Sequence, residues 1–316
     1  MGSMMLSRKN ILRMRADILD AIRFFFKKKG YLEVQTPQIV KELAPEPYID
    51  AFEIKRPPSD IPDKKTASFL IPSPELMMKR LLAEGFERIF QICKVFRKNE
   101  SGQRHLTEFT MLEWYCSDCD YNRLMSECEE LLPFCAEAAG HTSHTVTYDG
   151  WQLNMSPPFE RITVRDAYLR HAGWDPFVSF DADRFDEDMT LKVEKKLPRS
   201  RPCFLLDYPA QCASLARLKP DNPLAAERVE LYAGGLELAN GFSELNDSQE
   251  QTLRFKNDMV LRKRLGMTCY PWPNAFLEDI CKMPRCAGMA LGVDRLVMLL
   301  ANTQEISRTV TFSEDC

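Results

Sequence analysis

Val95-Phe-Arg-Lys-Asn-Glu-Ser-Gly-Gln-Arg-His-Leu-Thr-Glu-Phe-Thr-Met-Leu-Glu-Trp-Tyr115 is the stretch on which the fold turns. Phe90 to Phe96 and Phe109 to Tyr115 both read as strands, joined by a polar loop. If Phe109 to Tyr115 is extended, then Phe109, Met111, Glu113 and Tyr115 share one face. A carboxylate and a phenol two residues apart, beside an aromatic ring, suit a cation. Arg97, Arg104 and His105 in the facing loop suit an anion. The same residues also fit a half-exposed strand with solvated charges.

Two further stretches carry chemistry. In Glu230-Leu-Tyr-Ala-Gly-Gly-Leu-Glu-Leu-Ala-Asn-Gly-Phe-Ser-Glu-Leu-Asn246, Gly234-Gly235 reads as a type I′ hairpin turn. That turn sets Tyr232 opposite Glu237, with Glu230 diagonally on the same face, and two carboxylates so placed suit a hard cation such as Mg²⁺. They equally fit surface acids on an ordinary hairpin. Asn240, Phe242 and Glu244 share a face of opposite parity to Glu237, so a common site needs a β-bulge near Ala239 to Gly241. In Gly288-Met-Ala-Leu-Gly-Val-Asp-Arg-Leu-Val-Met298, glycines allow a strand to approach a ligand. Asp294 is placed to cap the helix that follows. Arg295 in the first turn opposes the macrodipole, which points to an anion there. A plain strand-turn-helix with a surface arginine is the alternative. Neither a Walker loop nor a dinucleotide fingerprint is present.

The rest of the chain sets the frame. It has 316 residues, 45% hydrophobic and 28% charged, too apolar for disorder. At roughly 150 residues per domain this is one large domain or about two. No run approaches the ~20 apolar residues that cross a bilayer. The 42 basic and 46 acidic residues leave a net charge of −4, without the basic excess of a nucleic-acid binder. Residues 1–7 read as an expression scar and lead-in, and no signal peptide follows. Eleven cysteines without an export signal point to free thiols in a reducing cytoplasm.

Helices are expected over Ile11 to Lys29, Pro74 to Glu84, Tyr121 to Ala139 with a break near Pro133, Val164 to Ala172 and Ser248 to Leu265. Tyr31 to Val34 reads as a strand cut by Thr36-Pro37, Arg56 to Lys65 as an exposed loop, and His141 to Pro158 as turn-rich. The helix from Val164 and the acidic stretch Asp181 to Asp188 read as peripheral. Gly288 to Leu300 reads as a strand followed by a helix. Strands and helices do not alternate regularly, which favours α+β with an antiparallel sheet over a doubly wound parallel one.

In this order the segments resemble the three motifs of class II aminoacyl-tRNA synthetases. Tyr31 to Pro37 resembles motif 1, Phe96 to Tyr115 motif 2 and Gly288 to Met298 motif 3. Pro74-Glu75-Leu76, Met111 to Tyr115 and Asn240 to Asp247 are similar to the lysine-specific branch. The chain starts directly at the catalytic domain, without the anticodon-binding OB-fold, and so resembles the GenX/PoxA family, the elongation factor P lysine ligases. Two details agree. Glu100 follows Arg97 by three residues, where lysyl-tRNA synthetases usually have two, and Ala290 stands where they usually have glycine. The resemblance implies a single class II catalytic domain over 8–316, an antiparallel sheet flanked by helices. It also implies a homodimer through motif 1.

It further implies an ATP-dependent ligase that activates lysine or (R)-β-lysine as an adenylate and passes it to a lysine side chain of elongation factor P. Ser73, Pro74 and Glu75 would bind the substrate, with Glu75 at the amine nearer the carboxyl group. Glu113, Tyr115, Asn240 and Glu244 would surround the substrate, the carboxylates holding its distal ammonium, and Phe242 would pack along the aliphatic stem. Arg97 would contact the α-phosphate, and His105 and Arg295 the outer phosphates; Arg97 and Arg295 are the catalytic pair. Phe109 would stack on adenine, and Lys98, Asn99 and Glu100 would lie near it, the choice between Asn99 and Glu100 for its amino group staying open. Leu238 and Gly292 would border ATP, and Glu230 and Glu237 would hold Mg²⁺. Leu106 departs from the family's asparagine and loses any side-chain contact made there. Ala290 is expected to favour a β-amino over an α-amino substrate. Two competing readings are a truncated lysyl-tRNA synthetase that charges tRNA and a non-catalytic regulatory paralogue. Cys116 and Cys119, with Cys128 and Cys135, have spacing poor for zinc.

Overall fold

The computed structural model describes residues 6–55 and 67–313. Helix α1 (Arg8–Lys28) buries Ile11, Ile18, Ile22, Phe25 and Phe26 at helical spacing. Lys27 and Lys28 complement its C-terminal dipole. Short strands β1 (Leu32–Glu33), β2 (Ile39–Val40), β3 (Glu53–Ile54) and β4 (Ser68–Leu70) follow, then α2 (Glu75–Ala83) with Pro74 at its N-cap. The decisive stretch forms β5 (Arg88–Phe96) and β6 (Glu108–Ser117), paired antiparallel from Arg88↔Cys116 to Phe96↔Glu108. Helix α3 (Tyr121–Ala138), hairpin β7 (Thr145–Tyr148) and β8 (Trp151–Asn154), β9 (Glu160–Thr163), α4 (Val164–His171) and α5 (Ala182–Asp188) come next. The chain closes with β10 (Cys203–Pro209), β11 (Leu218–Lys219), β12 (Asn222–Ala233), β13 (Leu236–Ser243), α6 (Ser248–Arg264), α7 (Asn274–Asp279), β14 (Cys286–Gly292) and α8 (Val293–Leu300).

Among the described residues the main sheet has nine strands in the order β1-β5-β6-β14-β13-β12-β10-β9, with β11 paired to β12. Its centre is antiparallel, as expected. Its two edges are not, since β1 pairs with β5 and β9 with β10 in parallel.

Alternation then divides the sheet. Leu112 and Trp114 of β6, Met289 and Leu291 of β14, and Val229 and Leu231 of β12 face a core closed by α1, α3 and α8. Within it Phe26 stacks on Phe90 at 5.1 Å and meets Trp114 at a tilt at 5.2 Å. The opposite face carries Glu113, Tyr115, Ala290, Asn240 and Glu230, and α2, α6 and α7 close only its far end around Phe255 and Phe276. A large open face above the middle strands is the result.

Several expectations need correction. Helix α3 runs through Pro133, which costs one backbone donor but is buried among Leu131, Leu132 and Cys135, so core packing outweighs the break. The turn-rich segment contains the β7–β8 hairpin, with Asp149 and Gly150 both at positive φ, as a type I′ turn requires. The acidic stretch from Asp181 is helix α5, packed by Phe185 on Tyr168 of α4, and it borders the cavity described below. Asp294 does not cap α8, whose N-cap is Gly292. Its carboxylate accepts from Thr110 N at 2.6 Å and pairs with Arg15, tying α8 to β6 and α1. The loop expected over Arg56 to Lys65 lies outside the described residues.

Candidate active site

The open face holds a cavity of about 680 Å³ into which β6, β12, β13, β14, α2 and the loop after β5 all project. A bulge makes this possible. Leu231 pairs with Ala239 but Tyr232 pairs with Glu237, so Leu238 is the inserted residue, just before the span expected for it. Leu238 and Ala239 both join the core, and Glu237, Asn240, Phe242 and Glu244 all reach the cavity.

One end of the cavity is acidic. Ser73 Oγ donates to Glu113 Oε2 at 2.9 Å, and Tyr115 Oη donates to Glu113 Oε1 at 2.6 Å. Glu244 and Glu75 are bridged by Lys79, at 2.6 Å and 2.5 Å. Sequence reading missed this lysine, although its i,i+4 spacing from Glu75 on α2 was a signal for the pair. Burial and the neighbouring Glu75 push Glu113 up to about 8. Burial also raises Glu244, against the pull of Lys79. Burial alone would discharge Lys79, but Glu244 and Glu75 outweigh it and keep it protonated. Three carboxylates against one ammonium leave two negative charges when all are ionised. Glu244 Oε1 and Asn240 Oδ1 are buried without a hydrogen-bond partner among the described residues. A buried acceptor without a donor calls for one from a ligand. Ala290 stands between these groups, paired to Glu113 on one side and Asn240 on the other. Gly288 is required: a Cβ there would lie 2.1 Å from the Tyr115 ring and 2.7 Å from Glu244.

The other end is cationic. Arg97 lies 5.2 Å over the Phe109 ring, donates to its ion partner Glu100 Oε1 at 3.2 Å, and donates to Pro72 O at 3.3 Å. Arg295 meets His105 Nε2 at 2.6 Å and donates to Glu237 O at 2.8 Å. Burial and Arg295 lower the His105 pKa, as befits an imidazole among guanidinium groups. Arg104 lines the same wall. At Gly292 a Cβ would meet nothing closer than Arg295 at 3.9 Å, so protein packing does not demand this glycine.

Beside this end, burial and Glu230 raise the pKa of Glu237. Glu230 itself pairs with Arg228 at 2.7 Å and accepts from Tyr232 at 2.8 Å, so each of its carboxylate oxygens already has a protein partner. No group of three or more metal-ligating side chains occurs among the described residues.

Of the residues singled out from the sequence, Ser73, Glu75, Arg97, Glu100, His105, Phe109, Glu113, Tyr115, Glu230, Glu237, Leu238, Asn240, Phe242, Glu244, Ala290, Gly292 and Arg295 line this one cavity. Pro74 is buried at the start of α2, while Lys98 and Asn99 are exposed on the loop and do not line it. Glu100, not Asn99, therefore faces the cavity. Arg228, Tyr208 and Glu46 also line it and had no sequence signal.

The acidic and cationic ends on one antiparallel sheet match a known architecture. The model for class II tRNA synthetases (D, K and N) matches residues 4–315. The chain belongs to the class II tRNA synthetase family. Within it, a protein of Histophilus somni (strain 2336) named elongation factor P--(R)-beta-lysine ligase is 36% identical, covering 98% of this chain and 96% of its own length. Proteins of the same name from Pectobacterium carotovorum subsp. carotovorum (strain PC1) and Klebsiella pneumoniae (strain 342) are 38% and 36% identical. They cover 96% and 97% of this chain and 94% and 95% of their own lengths. Arg97, from the loop after β5, and Arg295, from the first turn of α8, line the one cavity. Cys116 and Cys119 lie outside the cavity. A hydrogen bond from Cys119 draws the Cys116 thiol down to about 6, while Cys128 and Cys135 are sealed in the core.

Proposed function

We propose that this chain is an ATP-dependent ligase. It activates a lysine isomer, (R)-β-lysine foremost, as an aminoacyl-adenylate and transfers it to a lysine side chain of elongation factor P. The observation that carries this reading is the acidic end, where three carboxylates meet one ammonium, facing two arginines across one cavity. A diamine matches that balance, and a neutral amino acid would leave a buried carboxylate unpaired. The named ligases that share a third of their residues with the chain support the same choice.

In the first step the substrate carboxylate attacks the α-phosphorus of ATP and pyrophosphate leaves. Arg97 and Arg295 are placed to stabilise charge that grows on the phosphate oxygens. Phe109 offers its face to the adenine ring and Glu100 an acceptor for its amino group. Glu244, Glu113 and Asn240 hold the distal ammonium, Phe242 lies along the stem, and Glu75 takes the amine nearer the carboxyl group. Glu237, whose proton affinity is raised beside Glu230, suits Mg²⁺, which is bound through one or two carboxylates together with substrate phosphates and would neutralise charge on them. The second step moves the acyl group to an amine and releases AMP.

A homodimer through motif 1 is part of this reading. Leu32 on the edge strand β1, with Ile39 and Phe24, is exposed beside it. No helix among the described residues is long and apolar enough to cross a membrane, and the reaction belongs in the cytoplasm with its protein substrate. The test is intact-mass analysis of purified elongation factor P after incubation with the chain, ATP and each lysine isomer. The expected result is one added lysyl mass, largest with the β-isomer. Charging of bulk tRNA in its place, or no product with any isomer, refutes the reading.

A further inference from the structure

The transfer step needs something the roles above do not supply. An acceptor lysine arrives as an ammonium, with a reference pKa of about 10.4, and must lose a proton before it attacks. Glu46, Asp186, Glu194 and Asp258 are cavity-lining carboxylates without an assignment, and of these four Glu46 is the one that also borders the adjoining recess with Ser73 and Glu75. It sits in the loop between β2 and β3, beside the exposed Tyr48. Its backbone is fixed by the fully buried Arg262, which donates to Glu46 O at 2.5 Å and Ile49 O at 2.7 Å and pairs with Asp50 at 3.1 Å. Its carboxylate, by contrast, has no hydrogen-bond or ion-pair partner among the described residues.

The charges that act on it locate it. Glu75 of α2 and Asp258 of α6 repel its negative form, and Arg97 after β5 and Arg228 of β12 favour it. Glu46 thus feels both Glu75, at the carboxyl end of the substrate, and Arg97, at the α-phosphate. In the ligase reading above, the activated carbonyl carbon would lie between those two groups.

We propose that Glu46 receives the acceptor lysine, docking its ε-ammonium and taking one proton from it. This rests on the ligase reading above. One N–H bond breaks and its proton goes to the Glu46 carboxylate. The freed nitrogen lone pair forms the C–N bond at the mixed anhydride. The C–O bond to phosphate breaks, and AMP leaves with that electron pair. The surplus proton on the new amide nitrogen passes to the departing phosphate. Burial lifts Glu46 to about 7, so near neutral pH it exists in both forms, as a general base should.

The experiment separates the two steps in the full chain and in Glu46→Gln and Glu46→Asp variants. Activation is read by lysine-dependent ATP–pyrophosphate exchange. Transfer is read in single turnover by intact mass of elongation factor P. The adenylate is also captured with hydroxylamine, a nitrogen nucleophile that is neutral at the assay pH. In Glu46→Gln, transfer should fall about 100-fold and lose its rise near pH 7, while exchange and capture change by less than about twofold. Glu46→Asp should recover part of the transfer rate. Normal transfer in Glu46→Gln overturns the proposal, leaving the phosphate itself as the base. Equal losses in exchange, capture and transfer overturn it too, as a structural effect. A wild-type chain that exchanges pyrophosphate with no lysine isomer, or never modifies the factor, sinks the ligase reading, and the inference with it.

Discussion

Replacing Lys79 by methionine removes the one cation inside the acidic end while nearly keeping side-chain length. Lys79 and Glu244 are each 1% exposed and Glu75 is 14% exposed, so solvent cannot take over the lost partner. Removing one member of a buried ion pair costs about 3–5 kcal/mol. At roughly 2–4 °C per kcal/mol for a chain of several hundred residues, the melting midpoint should drop by about 6–20 °C. The pH dependence is the sharper signature. Glu113 and Glu244 are raised in the folded state, chiefly by burial. A carboxylate raised in this way contributes stability that is complete below its unfolded pKa of about 4.3 and is lost as pH climbs through the folded value. Without Lys79, Glu244 is raised further and that loss deepens. Calorimetric melting of wild type and Lys79→Met should therefore differ more at about pH 8.5 than at about pH 5.5, because protonation relieves the orphaned carboxylate. An equal depression at both pH values, or one below about 1 kcal/mol, would refute the reasoning that Lys79 acts through charge.

Gly288→Ala should displace Tyr115 and Glu244, since the added methyl has no room; the expected outcome is a stability loss of about 1–3 kcal/mol and a much larger KM for the lysine substrate than for ATP, read by pyrophosphate exchange. Ala290→Gly should move the activity ratio toward α-lysine and away from β-lysine, and an unmoved ratio would remove the role given to this methyl. Binding of the dication should draw protons off Glu113 and Glu244, so calorimetric titration near pH 7 in buffers of different ionisation enthalpy should show net proton release. Uptake, or no exchange of protons, would contradict a site built on raised carboxylates.

The sheet's antiparallel centre and the convergence of its three decisive stretches were legible because period-two alternation survives in β6 and β14 and on either side of the bulge in β13. The parallel edges were not, since β1 offers only Leu32 and Glu33 to read. Pro133 misled because local propensity for a break was outweighed by a buried helix face. Lys79 was hidden because a lysine four residues after a glutamate reads first as a surface pair, and only tertiary packing against Glu244 makes it buried. Glu46 was hidden for a different reason. It sits between two prolines in an irregular loop, and the side chains that anchor that loop, Arg262 and Tyr270, come more than 200 residues later.

The inserted Leu238 has a consequence for how this chain can vary. Upstream of it the hairpin obeys one register, downstream the other. Were the same residues to run as a regular strand with no bulge, alternation from Glu237 would turn Asn240, Phe242 and Glu244 toward the oily layer under α8 and swing Ala239 and Gly241 outward. No point substitution could restore them. The irregular pairing is thus as much a part of the strand's chemistry as its side chains, and an added residue should be tolerated in the loops of this molecule long before it is tolerated here.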